Sequence, residues 1–228
     1  MTPQQRKRHL LRTALKLIEE RGYVQFNFRE LSAEAKVSIG SLYRLFPTKE
    51  HLLTTLWGEH IQRMHESYQV FENFGLTDKE QIICSACWPF LRQKLSARSF
   101  VIEMIGANHQ MFDELSDQSK AELEAQFNAV LQKRFNQFAR AVKSGALNPD
   151  DGKIRTAIKQ LTLISRGAVM IQQHVFVPPS TFQLAEIIEA CDLILSQLEW
   201  RSDASRVDAR RIELALRTTC DVAAQQSD

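Results

Sequence analysis

Within VSIGSLYRLFPTKE, residues 37–50, stand two serines, a Tyr-Arg pair, a lone glycine, a proline and a Thr-Lys-Glu. Ser38, Ser41, Tyr43, Arg44 and Lys49 carry donors of the kind that hold phosphate oxygens and base edges, and Asn27 and Arg29 add an amide and a guanidinium just upstream. The same residue types also punctuate helices. Two readings therefore compete: a turn between core helices, or a surface that reads another molecule. A second candidate chemistry is Cys84-x-x-Cys87, which invites a metal or redox role. A zinc site needs two further ligands, and no paired Cys/His motif at metal-site spacing accompanies these two. On a helix, a spacing of three puts both thiols on one face beside Ile83 and Phe90, as ordinary core residues, with thiol sensing the lesser alternative. No Ser-His-Asp order, phosphate loop or dinucleotide fingerprint is present, and the six histidines are dispersed. Catalysis, a cofactor and a metal are not expected.

The elements that must position these residues are helices. A chain of 228 residues with eight glycines, six prolines and few alternating β-branched runs suits an all-α fold, large enough for one large domain or two small ones. No apolar run approaches the ~18 residues of a membrane span, so a cytoplasmic address with no membrane partner is expected. Net charge is +2 but uneven: residues 1–56 hold ten Lys/Arg against five Asp/Glu, and the remainder 19 against 22. A basic front end on a mildly acidic body suits a module that meets a polyanion.

Apolar periodicity predicts a first helix from about Pro3 to Arg21, closed by Gly22 in a left-handed position. Asn27 caps a short second helix with Glu30 three residues on, Ser38 caps a third running from Ile39 to about Phe46, and Pro47-Thr48 opens a long fourth that continues to about residue 72. A new group then follows, over Asp78–Leu95, Arg98–Gln110, Asp113–Ser144, Asp151–Val177, Thr181–Trp200 and Ser205–Ala224, for about ten helices in all. Residues 1–56 form one domain and 57–228 a second.

Counted from Phe28, the residues Leu31, Ala35, Val37, Leu42 and Leu45 fill the interior slots of a helix–turn–helix, with small Ser32 where the helices approach. In such a unit the second helix enters the major groove and the first braces it. An αα-corner with no DNA role has the same spacing. The intervening residues go further. FNFRELSAEAKVSIGSLYRLFPTKEHL resembles the N-terminal DNA-binding domain of the TetR family of transcriptional regulators, through Asn27, Arg29, Ala35, Val37, Ser38, Gly40, Ser41, Leu42, Tyr43, Phe46, Lys49 and Glu50. The close match covers about residues 8–56. Two departures stand out: Lys36 where the family usually has a turn glycine, which requires a left-handed lysine, and Leu45 in place of a more usual histidine or tyrosine.

The resemblance implies a DNA-binding set of Asn27, Arg29, Ser38, Ile39, Gly40, Ser41, Tyr43, Arg44 and Lys49. Ile39, Ser41 and Arg44 are expected to read bases, while Tyr43, Lys49 and Asn27 position the protein on phosphate. It also implies a ligand cavity among the later helices, for which Trp88, Met104, His109, Phe112, Met170 and His174 are the candidate lining, suited to a lipophilic small molecule. Similar proteins pair two late helices in a homodimer. Here Ile154, Ile158, Leu161, Ile164 and Ala168, then Ile187, Ile188, Cys191, Ile194, Leu195 and Leu198, form an apolar stripe that faces either its own core or a partner. The expectation is a three-helix DNA-binding domain on a larger helical ligand-binding and dimerisation bundle, acting as a repressor on a near-palindromic operator. The rivals are an activator or protein-responsive regulator, and a helical enzyme or interaction protein with a vestigial DNA-binding head.

Overall fold

The computed structural model describes residues 2–95 and 98–225. Among these the chain is helical: α1 (Pro3–Gln25), α2 (Phe28–Ala35), α3 (Ile39–Leu45), α4 (Lys49–Val70), a 3₁₀ turn (Phe71–Phe74), α5 (Asp78–Leu95), α6 (Arg98–Gly106), α7 (Gln110–Asp113), α8 (Asp117–Lys143), α9 (Asp151–Gln172), α10 (Leu184–Leu195) and α11 (Ala209–Gln225). The predicted caps are in place. Asn27 Oδ1 accepts from the Glu30 N–H at 3.0 Å, Ser38 Oγ from the Ser41 N–H at 3.3 Å, and Thr48 Oγ1 from the His51 N–H at 3.1 Å. Several later helices stop short of their predicted ends. The span expected over 98–110 ends at Gly106 and restarts as the four-residue α7, and α9 ends at Gln172 rather than Val177.

The contacts gather into two units. The first comprises Met1–Gln62 with Ala97–Phe127, and the second Arg63–Ser96 with Asn128–Asp228. The division falls inside α4, and the segment 97–127 goes with the N-terminal helices, a grouping that a boundary at residue 57 does not contain.

In the first unit, Leu10, Leu11, Ala14, Leu17 and Ile18 of α1 are buried together with Leu31, Leu42, Phe46, Leu52 and Leu53. Gly22 (φ 77°, ψ 155°) kinks the end of α1, in a conformation that essentially only glycine adopts. Behind it Phe26 is buried and meets Phe28 edge-on at 6.4 Å. Farther along, Trp57 of α4 packs against Phe112 at 5.4 Å and Phe127 at 6.0 Å. Gly106 must be glycine there, since a Cβ would collide with the Trp57 indole.

In the second unit α5 is the central helix, packed by α9, α10 and α11. Ile82, Ile83, Cys84, Ala86, Cys87, Trp88, Phe90 and Leu91 are all buried, as expected of a helix that is apolar all round. Lys79 is buried at its start, where Nζ lies 2.6 Å from Asp192 Oδ1 and donates to Ser196 Oγ at 3.1 Å and the Ser205 carbonyl at 3.0 Å. The apolar stripe of α9 and α10 turns out to be mostly core of its own unit. Leu161, Ala168, Ile187, Ile188, Cys191, Ile194, Leu195 and Leu198 are buried, while Ile154, Ile158 and Ile164 are half-buried. Leu163 (72% exposed), Met170 (50%) and Leu193 (69%), on the same two helices, face out instead.

Candidate nucleic-acid interface

The helix–turn–helix is built by burial on one side only. Leu31, Ala35 and Leu42 are buried, and Val37 and Leu45 are half-buried. Half-burial at those two slots follows from their places at the rim, in the turn and at the last residue of α3. Ser32 Oγ donates to the Val37 carbonyl at 2.7 Å and so ties the turn to α2. At the turn Lys36 takes φ 53°, ψ 41°, the left-handed conformation that its replacement of glycine requires, and it is the only described non-glycine residue with positive φ. His9 Nε2 lies 3.0 Å from the Ala35 carbonyl, joining α1 to the end of α2.

The opposite side is the open one. Ser38, Ile39, Gly40, Tyr43 and Arg44 are exposed and Ser41 is half-buried, so the first turn and outer face of α3 form one edge. Ile39 keeps 43% of its surface exposed at the start of this edge. Ser38 Oγ donates to Ser41 Oγ at 2.9 Å and Arg44 Nη2 donates to the same oxygen at 3.3 Å, so the three polar side chains converge. Tyr43 leans its ring on Phe28 at 5.2 Å and is 51% exposed, an aromatic side chain braced at its base and open at its tip. A Cβ built on Gly40 meets nothing within 4 Å, and its φ is not positive. Neither packing nor backbone strain inside the protein requires glycine there.

Asn27 and Arg29, at the start of α2, are both exposed, and the Asn27 side chain is occupied as the cap of that helix. Lys49 departs from the expectation. Its Nζ donates to the Val24 carbonyl at 3.1 Å and sits 5.9 Å from the centre of the Phe26 ring. Partial desolvation lowers its pKa, with Glu50 acting the other way. The ammonium is thus folded against the loop after α1, a contact that no motif spacing signals because Val24 lies 25 residues earlier. The brace that Phe28 gives Tyr43 also escaped the sequence reading; the offset of fifteen residues across a helix–turn–helix would have been its signal.

The six candidate pocket residues are divided between the units. In the first, Met104 and Phe112 are half-buried and His109 is exposed. In the second, Trp88 is fully buried, Met170 is half-exposed, and His174 is on the surface with Nδ1 accepting the Phe176 N–H at 3.3 Å. The two histidines among these candidates lie on the surface, each just beyond a helix end. Within the second unit a small cleft is lined by Ile82, Ser85, Ala86, Arg134, Gln137, Phe138, Ile158 and Leu161, none of them predicted. Cys84 and Cys87 are buried as core residues. Burial pushes the Cys84 thiol up, and a hydrogen bond with Cys191, reinforced by burial, raises Cys87. Such thiols are poor nucleophiles and poor ligands.

Comparison with known proteins converges on the same segment. Residues 10–56 match the family described as bacterial regulatory proteins, tetR family. Over 60 residues the chain is 33% identical to the HTH-type transcriptional repressor KstR of Mycolicibacterium smegmatis, which is 26% of this chain and 29% of that one. The chain thus spans about three-tenths of the length of this relative. Among solved structures, a TetR-family transcriptional regulator from Agrobacterium tumefaciens superposes with a TM-score of 0.59, at 16% identity over 86% of this chain and 99% of the other. AibR, solved in complex with isovaleryl coenzyme A and operator DNA, superposes with a TM-score of 0.54, at 17% identity over 84% and 97%. These two likenesses concern the fold.

Proposed function

We propose, from the family match over residues 10–56, that the chain is a TetR-type regulator: a sequence-specific DNA-binding transcriptional repressor, released from its operator by a small lipophilic ligand. The observation that carries the reading is the α3 edge: Ser38, Ile39, Gly40, Tyr43 and Arg44 exposed on a helix whose other face is sealed by Leu42. Ile39, Ser41 and Arg44 read base edges, and Tyr43, Asn27 and Arg29 hold phosphates on either side. Lys49 contributes by fixing the start of α4 against Val24, and it grips phosphate only if that bond opens.

A two-helix reader makes few base contacts, so specificity requires two copies on a near-palindrome. Leu163, Met170 and Ile171 of α9 and Leu193 of α10 are the exposed apolar residues available for the second copy, since most of the stripe is buried at home. Ligand bound in the second unit shifts the population of α4 conformations and with it the spacing of the two reading helices. No helix among the described residues is long and apolar enough to cross a membrane, and a cytoplasmic address is part of the proposed regulator role.

The test is fluorescence anisotropy of the full chain on duplex DNA flanking its own gene, across a range of salt. Binding should weaken steeply, log K falling by roughly 0.9 per unit log salt for each phosphate neutralised. Arg44→Ala should cost about 1–3 kcal/mol on the preferred sequence and narrow the gap to random DNA. Binding that is absent, or indifferent to salt, would favour the reading of a helical protein with a vestigial DNA-binding head.

A further inference from the structure

The interior of the second unit holds polar groups that the described residues do not satisfy. On α5, Trp88 and Arg92 stand one turn apart on one face of an otherwise apolar run. Trp88 has no exposed surface, and its indole N–H has no acceptor. Tyr68, near the end of α4, is 3% exposed and its hydroxyl is unpartnered. Arg92 keeps some exposure, but its Nη1 is buried with no partner.

These groups form one neighbourhood. The Tyr68 ring lies 6.3 Å from Phe71, and Phe71 lies 5.9 Å from Trp88. Tyr68 acts electrostatically on both Arg92 and Arg166, and Arg63 and Cys220 act on Arg92 as well. Desolvation, with the like charge of Arg63 behind it, brings Arg92 down to about 10, so the guanidinium is still charged at neutral pH. Among the described side chains no carboxylate contributes to that balance. A desolvated cation beside an unpartnered hydroxyl and an unpartnered indole N–H, with no anion among the three, is costly to a closed core and suits an anionic guest that accepts from all of them.

We propose that Arg92 Nη1, the Tyr68 hydroxyl and the Trp88 indole N–H anchor the carboxylate of a lipophilic organic acid, whose apolar body lies along Phe71 and Trp88. The planar guanidinium fork matches a carboxylate. Of the three proposed anchors only Arg92 carries a charge, which fits a guest with one negative charge better than a phosphate dianion. The aromatic walls favour an aliphatic or aryl body over a strongly hydrated one. The assignment rests on the reading of the second unit as the ligand-binding part, and it supplies that ligand's class.

Calorimetric titration of the full chain with octanoate and 4-phenylbutyrate, against the neutral 1-octanol and 4-phenylbutanol, tests the anchor. Each acid should bind at least about tenfold more tightly than its alcohol and raise the melting temperature by roughly 2 °C or more at saturation. Arg92→Met should erase the preference for acid, and Tyr68→Phe should reduce it. Without ligand, Arg92→Met should melt at the same or a higher temperature, since it removes an uncompensated buried charge. Equal affinity for acid and alcohol, no binding of either acid, or a melting point lowered by several degrees in unliganded Arg92→Met would each overturn the assignment; the last would make Arg92 a structural residue. None of these readouts involves DNA. Failure to bind DNA would therefore remove the regulator reading and leave the anchor standing, while loss of the acid preference would do the reverse.

Discussion

Gly40 shows most clearly what a single residue contributes. It lies in the first turn of α3, where alanine would be the better helix former by up to about 1 kcal/mol. Open space surrounds its missing Cβ, and its backbone conformation suits any residue. The protein alone therefore gives no reason for glycine, whereas close approach of a DNA backbone would. Gly40→Ala should leave the melting temperature unchanged or slightly raised while weakening operator binding by about tenfold or more, read by thermal melting and anisotropy on the same preparation. Lys49 is the complementary case. Lys49→Ala should lower stability by about 0.5–1.5 kcal/mol through loss of its bond to Val24 and its place over Phe26. Its effect on DNA affinity should be smaller than that of Arg44→Ala.

At the scale of the element, the left-handed Lys36 holds α2 and α3 at their turn while departing from the residue best suited to it. Lys36→Gly should stabilise the chain by about 1 kcal/mol, because the strain of a left-handed side chain outweighs the added freedom of the unfolded glycine. Denaturant unfolding measures it, and a loss of stability would show that the Lys36 side chain contributes more than its backbone costs. The helices around this turn were legible because local chemistry sets them: Asn27, Ser38 and Thr48 cap in sequence and in structure alike. The later helices were less so. Their ends depend on tertiary packing, as at Gly106, where α6 stops under the Trp57 indole. The exposed edge of α3 could be read from its motif, but the fold-back of Lys49 onto Val24 could not, because no local rule links residues 25 positions apart. Nor could the surface placement of His109 and His174, since a histidine near a helix end carries no periodic signal of its side.

For the whole molecule, the decisive question is which apolar surface remains after each unit has folded. The stripe legible on α9 and α10 could have faced core or partner, and most of it is core. The large apolar residues still exposed on these helices are Leu163, Met170, Ile171 and Leu193. Leu163→Glu with Leu193→Glu should leave a folded monomer by light scattering and reduce operator affinity by about a hundredfold or more, since one reading helix cannot supply specificity alone. A double variant that remained dimeric would place the interface elsewhere.

If the α3 edge reads DNA sequence, the protein must select particular duplexes over others. The most direct test is selection of bound duplexes from a random pool by the full chain. The expected result is an enriched inverted repeat whose half-sites lie about one helical turn, ~34–36 Å, or a multiple of it apart, with enrichment lost in Arg44→Ala. A pool that stays random after repeated rounds with the intact chain would contradict that reading.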